Sequence, residues 1–164
     1  MIDGNTSNFN FIKLEAKLNS QIIQEYEQGN RKEAEKTKKT IPIFLETINS
    51  FFANTQKSIH FTDDKNIVIK TPTNSIEIHQ LSAGEKQLLI IFFSIFLQEQ
   101  KPHIILLDEP EISLHLNWQE KLIDTILEIN PNCQLLIATH APSIFGKGWG
   151  DKFINIQSIT QQEL

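Results

Sequence analysis

Hydrophobic positions recur at both helical and strand spacing along this chain, and near residue 80 the order changes from helix followed by short strands to helices alternating with strands. From Phe11 to about Lys39 there is no proline and a single glycine, with Leu14, Leu18, Ile22 and Tyr26 at near-helical spacing. This predicts a long helix that frays at Gly29. Thr40 followed by Ile41-Pro42 reads as a cap with proline in the first turn of a second helix. Its apolar stripe is Ile41, Phe44, Leu45, Ile48, Phe51 and Phe52. Three short alternating segments, KSIHF, NIVIK and SIEIH, follow; TDDK and TPTN separate them and read as turns, which predicts an antiparallel meander.

Beyond residue 80 the order becomes a helix to about Gln98, a strand HIILL, a helix from about Leu116 to Ile129, a strand CQLLIA and a last strand KFINIQ. Near-continuous apolar strands alternating with helices predict an α/β unit whose parallel strands are covered on both faces. The chain thus divides into a helical arm (1–56), a meander (57–80) and an α/β segment (81–164), with no internal repeat.

Composition changes this picture little. At 164 residues, 40% hydrophobic and 21% charged, the chain is long enough for one domain with a proper core. A net charge of -5 gives no global pull toward nucleic acid or an anionic membrane. One local exception is RKEAEKTKKT, five basic and two acidic residues with almost no apolar face. It reads as a solvated helix end, or as a contact with nucleic acid or a partner. The lone Cys133 cannot form an internal disulfide, and the amino terminus lacks a basic region followed by an apolar run. A cytoplasmic protein is expected. The greasiest run, LLIIFFSIFL, is well short of the roughly 20 residues needed to span a bilayer, so it is expected to be a buried helix and no membrane partner is foreseen.

Three stretches could carry chemistry. In LSAGEKQ, Ser82 and Glu85 form the S-x-x-E pattern of a capping box, but Gly84 is a poor helix former. Simple capping is one reading; the other is a helix start left bare so that a phosphate can approach its free N–H groups. In HIILLDEPE a buried strand runs straight into Asp108 and Glu109, two adjacent carboxylates that need a cation, donors or solvent. An aspartate there can hold Mg²⁺ and a neighbouring glutamate can polarise water, whereas an acidic turn closed by Pro110 is the plainer alternative. In LLIATHAPSI a second strand ends at Thr139 and His140, a structural histidine or a donor to phosphate.

Taken in order, LSAGEKQ, IILLDEP, ISLH and ATH resemble the carboxy-terminal part of an ABC-type ATPase domain, in the soluble branch of RecF, SMC and the overcoming-lysogenization-defect ATPases. The chain is also similar to the ATPases of Septu and retron defence systems. The resemblance implies an α/β fold, the carboxy-terminal part of a P-loop NTPase preceded by a helical arm and meander. It implies that Ser82, Ala83, Gly84 and Glu85 lie in the signature motif facing a nucleotide held by an opposing protomer. Asp108 would be the metal-binding Walker B aspartate and Glu109 the catalytic base. Ser113, Leu114 and His115 would form the D-loop at a dimer interface, and His140 would sense the γ-phosphate.

ATP and Mg²⁺ are the implied cofactors, and a homodimer or heterodimer of ATPase domains is the implied assembly, with a nuclease partner or DNA as further candidates. Ala83 and Leu116 depart mildly from the pattern, Leu116 standing where this branch often has proline. The larger departure is that no G-x-x-x-x-G-K-[ST] occurs, Gly146-Lys147-Gly148 included. The expectation is therefore the carboxy-terminal part of an ATPase whose P-loop lobe lies elsewhere, inactive alone. The alternatives are a noncatalytic interaction subunit that offers its signature helix to a partner's ATP, and a nucleic-acid-binding adaptor using residues 31–39.

Overall fold

The computed structural model describes residues 31–61, 67–145 and 148–160. The helix expected before residue 31, the TDDK turn, Gly146-Lys147 and the side chains of the basic run 31–39 lie outside the described residues. A single helix, α1, runs from Arg31 to Phe52 with Pro42 inside it. The cap expected at Thr40 is therefore not a helix start. Proline costs one backbone hydrogen bond in a helix interior, and the buried stripe Phe44, Ile48, Phe51 and Phe52 holds the helix in place beyond it.

A short turn leads into an antiparallel sheet of β1 (Ser58–Phe61), β2 (Ile67–Lys70) and β3 (Ser75–Ile76). The predicted meander is present, with its last strand cut short because Ile78–Gln80 turns into a 3-10 helix. Asn49 on α1 pins the meander by bonding both backbone groups of Ile59, accepting from its N–H at 2.6 Å and donating to its carbonyl at 3.1 Å.

Helix α2 (Ala83–Phe96) is apolar nearly all round and forms the centre of the molecule. Phe93 meets Phe44 edge-on at 5.0 Å, and Phe92 meets Phe51 at 5.1 Å. Strand β4 (His103–Asp108), helix α3 (Leu116–Ile129) and strand β5 (Cys133–Ala138) then form a parallel β–α–β unit, with Asp108 opposite Ala138 in register. Trp118 of α3 ties this unit to the arm, its indole N–H donating 3.1 Å to the Phe51 carbonyl. One continuous core runs from Phe44 through Ile69, Phe92 and Leu122 to Ile144, so the arm, meander and α/β segment share a single interior.

Two expectations fail here. KFINIQ is not a strand: Gly150–Lys152 is a 3-10 turn and Ile156–Thr160 a short helix, α5, which follows the four-residue α4 (Pro142–Phe145). Asn155 diverts the chain, its side chain accepting from Gln157 N–H at 3.0 Å and its carbonyl accepting from Ser158 N–H at 3.0 Å. Among the described residues the parallel strands are also covered on one face only. Ile105 is buried, while Ile104, Leu106 and Leu136 are 66%, 73% and 52% exposed on the opposite face.

Candidate functional site

The start of α2 is built as its sequence predicts. Ser82 accepts from Glu85 N–H at 3.3 Å and Glu85 accepts from Ser82 N–H at 2.8 Å, a complete capping box. The rest of this stretch departs from expectation. Glu85 is 1% exposed, and both its carboxylate oxygens accept from the Lys57 ammonium, at 2.8 and 2.9 Å. Burial pushes the Glu85 pKa up, but Lys57, the Ser82 N–H and the hydroxyls of Thr55 and Ser82 together hold it below the ordinary value. Its carboxylate is engaged by Lys57 at the edge of the meander.

Gly84 is buried too, and the reason lies within the chain. A β-carbon there would sit 3.0 Å from the Ser113 carbonyl carbon and closer still to its oxygen. Ser113 reaches this position because its backbone is left-handed, at φ 69°. Of the four residues expected to face a nucleotide, Ser82 and Ala83 are exposed. Leu114, expected at an interface, instead points into the core at 7% exposure, leaving Ser113 and His115 outside. His115 stands at the N-cap position of α3 without a side-chain capping bond and sets its ring edge-on to Trp118 at 5.2 Å.

The carboxyl ends of β4 and β5 gather the second group. Asp108 is exposed at the end of β4, with no side-chain hydrogen bond among the described residues. Glu109 leaves the strand with a left-handed φ of 45°, while its N–H still donates 2.8 Å to the Ala138 carbonyl. Non-glycine residues adopt that conformation at a cost of about 1–2 kcal/mol, and such strain gathers at functional sites. Here it turns Glu109 toward His140, whose Nε2 lies 3.2 Å from Glu109 Oε1, in reach of an ion pair when the ring is protonated. The imidazole is otherwise 94% exposed.

Sequence reasoning stopped one acid too early. Glu111 Oε1 accepts from the Thr139 hydroxyl at 2.5 Å and from the N–H groups of His140 and Ala141 at 3.1 and 3.2 Å. Burial raises the Glu111 pKa, but the Thr139 hydroxyl, its own backbone, Glu109 and the His140 N–H outweigh that and hold it below the ordinary value. The only hint in the sequence was a third carboxylate at the strand exit, in DEPE. Gln119 on α3 carried no signal at all. Its amide donates to the carbonyls of Leu114 (2.9 Å) and Glu111 (3.4 Å), and its oxygen accepts from the Ser143 hydroxyl.

The parallel β–α–β unit carries Asp-Glu at the exit of one strand and Thr-His at the exit of the next, beside a capped helix start, and comparison with known proteins places the chain among the ABC/AAA-like ATPases. Residues 6–146 match the family described as "AAA domain, putative AbiEii toxin, Type IV TA system", and the chain belongs to that family. It is 24% identical to the retron Ec83 probable ATPase of Escherichia coli, covering 71% of this chain and 28% of that protein. It is 35% identical to the zinc import ATP-binding protein ZnuC of Wigglesworthia glossinidia brevipalpis, over 61% of this chain and 42% of the relative. With Septu protein PtuA of Bacillus thuringiensis the identity is 29%, over 56% and 27%.

The chain thus spans well under half the length of each of these relatives. Among solved structures it is similar to an Smc head bound to the C-winged helix domain of ScpA, with a TM-score of 0.48, 21% identity, and 70% of this chain and 40% of that one covered. No helix among the described residues is long and apolar enough to cross a membrane.

Proposed function

We propose that this chain supplies the carboxy-terminal half of an ATP-hydrolysing site, completed by a P-loop lobe and closed by a second ATPase domain. The observation that carries this reading is the Glu109–His140 approach of 3.2 Å at the carboxyl edge of the parallel strands, where open α/β folds place their ligands. Family membership gives the reaction class.

The roles follow from the chemistry of each group. Asp108 fits Mg²⁺: it is an exposed hard-oxygen donor with no competing protein partner among the described residues. No group of three or more potential metal ligands occurs among those residues, which suits an ion that takes its other ligands from phosphate and water. A Mg²⁺ ion held by Asp108 would supply charge neutralisation of the phosphates. Glu109 accepts the proton of the attacking water, and His140 donates to the γ-phosphate. Ser82 and the bare N–H groups at the start of α2 are offered to a nucleotide on the opposing protomer. The exposed Ile104, Leu106 and Leu136 form the seat for the P-loop lobe. The relatives named for retron and Septu systems favour antiviral defence over DNA maintenance as the setting, with a nuclease as the partner class to look for.

The test is reconstitution. The 164-residue chain alone is expected not to hydrolyse ATP, and a P-loop lobe added in trans or fused to it is expected to restore turnover that Glu109→Gln lowers by about 10²–10⁴-fold. Turnover by the chain alone defeats the proposal. Restored turnover indifferent to Glu109→Gln reassigns the chain as a noncatalytic subunit.

A further inference from the structure

We infer that Glu111 is a positioning residue that sets where His140 points, by clasping the backbone turn that carries it. The imidazole of His140 is 94% exposed, and its only described neighbour is Glu109. Nothing packed around the ring fixes its direction, so the direction comes from the backbone at 139–141. That backbone is held chiefly by Glu111, with a longer bond from the His140 N–H to Glu109 Oε2 at 3.4 Å beside it. Glu111 Oε1 accepts from the Thr139 hydroxyl and from two successive N–H groups, those of His140 and Ala141. Thr139 reinforces the turn by accepting from Ala141 N–H at 3.0 Å.

Two features make this a clasp specific to the turn and not general packing. The second oxygen, Oε2, is buried without a hydrogen-bond partner among the described residues, and the side-chain bonds Glu111 makes to Thr139, His140 and Ala141 all run through Oε1. A charged acceptor bonds N–H and O–H donors more strongly than a neutral one does. Gln119 spans the same two segments a few ångströms away, gripping the carbonyls of Glu111 and Leu114 with its amide and the Ser143 hydroxyl with its oxygen. The exit turn 111–114 and the segment from Thr139 to Ser143 are thereby fastened at two points. Ser113, which packs on Gly84, belongs to the same exit turn.

The positioning itself is independent of ATP; its consequence for turnover rests on the function proposed above. Amide hydrogen exchange of the 164-residue chain separates the two. Glu111→Ala is expected to speed exchange at His140 and Ala141 by about tenfold or more while leaving Ile105 and Leu136 in the strands unchanged, since local opening is read residue by residue. Glu111→Gln, which keeps the shape and loses the charge, is expected to give a smaller change in the same two amides. His140→Ala, which removes the ring but not its N–H, is expected to leave Ala141 protected. Unchanged exchange at both amides, or equal acceleration throughout β5, overturns the inference.

In the reconstituted ATPase, Glu111→Ala is expected to lower kcat at least tenfold with KM within about twofold, the pattern of a lost transition-state contact. A matched loss of binding, with kcat kept, overturns it. If reconstitution yields no ATPase but the two amides respond as stated, the function proposed above fails and the clasp stands.

Discussion

The carbonyl of Ser113 occupies the place where a side chain on Gly84 would stand. Glycine at that position is thus required by a neighbour within the chain, quite apart from any ligand. Gly84→Ala sets two effects against each other. Alanine is the better helix former by about 1 kcal/mol, but its methyl meets backbone atoms that cannot rotate away, and overpacking of this kind costs about 1–3 kcal/mol. The expected outcome is a net loss of about 1–2 kcal/mol in urea denaturation, where Ala83→Gly, at the exposed neighbour, costs under 1 kcal/mol. A stabilised Gly84→Ala protein contradicts the packing account.

Lys57→Met tests the buried ion pair that joins the meander to α2. Glu85 is nearly inaccessible and Lys57 22% exposed, so removing the cation strands a carboxylate in the core. Breaking such a pair typically costs about 3–5 kcal/mol; partial exposure of Lys57 brings the expectation to about 2–4. The sign with pH follows from the lowered pKa of Glu85. Its contribution is present above the unfolded pKa of about 4.3 and is lost as pH falls through the lower folded value. In the variant a stranded carboxylate gains most from protonation. The stability gap between the two proteins is therefore expected to narrow between pH 7 and pH 3, measured by urea midpoints at each pH. A gap that widens on acidification contradicts it.

Pro42→Ala distinguishes the continuous helix from the helix start that the sequence suggested. At a first helical position proline is harmless, so the exchange would be neutral or slightly destabilising. Inside α1, at an exposed site, it restores a hydrogen bond to the preceding turn. The expected result is a gain of about 1–3 kcal/mol and a higher Tm. No gain points to a break at Thr40.

These cases mark what could be read without coordinates. The α2–β4–α3–β5 order and the Ser82–Glu85 cap were legible because periodicity and capping are local, written within a few residues. The sequence pointed to parallel strands but not to the register that brings Asp108 beside Ala138, and hence Glu109 beside His140. What escaped was nonlocal: Lys57 on Glu85 across 28 positions, Glu111 beneath Thr139 across another 28, and the Ser113 carbonyl against Gly84. Gly84 invited a ligand-based explanation because nothing adjacent in sequence explains it. KFINIQ misled for the opposite reason, since its alternation is that of a strand while a single Asn155 starts a helical turn there.

The open face of the parallel strands gives the last prediction. Ile104, Leu106 and Leu136 alternate with Ile105, Leu135 and Ile137, which face the core, so the strands have the two-sided apolar pattern of a sheet covered on both faces, while among the described residues only one is covered. Replacing Leu106 and Leu136 with lysine leaves the interior untouched, and in the isolated chain stability is expected to stay within about 0.5 kcal/mol. If the P-loop lobe seats on this face, the same double variant buries two ammonium groups at the junction. Each charged group taken from water without a partner costs several kcal/mol, so assembly is expected to weaken by at least 10²-fold in a pull-down or titration calorimetry experiment, with ATPase turnover lost in parallel. Loss of stability in the isolated chain would mean that the face is already packed. Unchanged assembly would place the lobe on another surface, and unchanged turnover with it would rule out this face as part of the composite site.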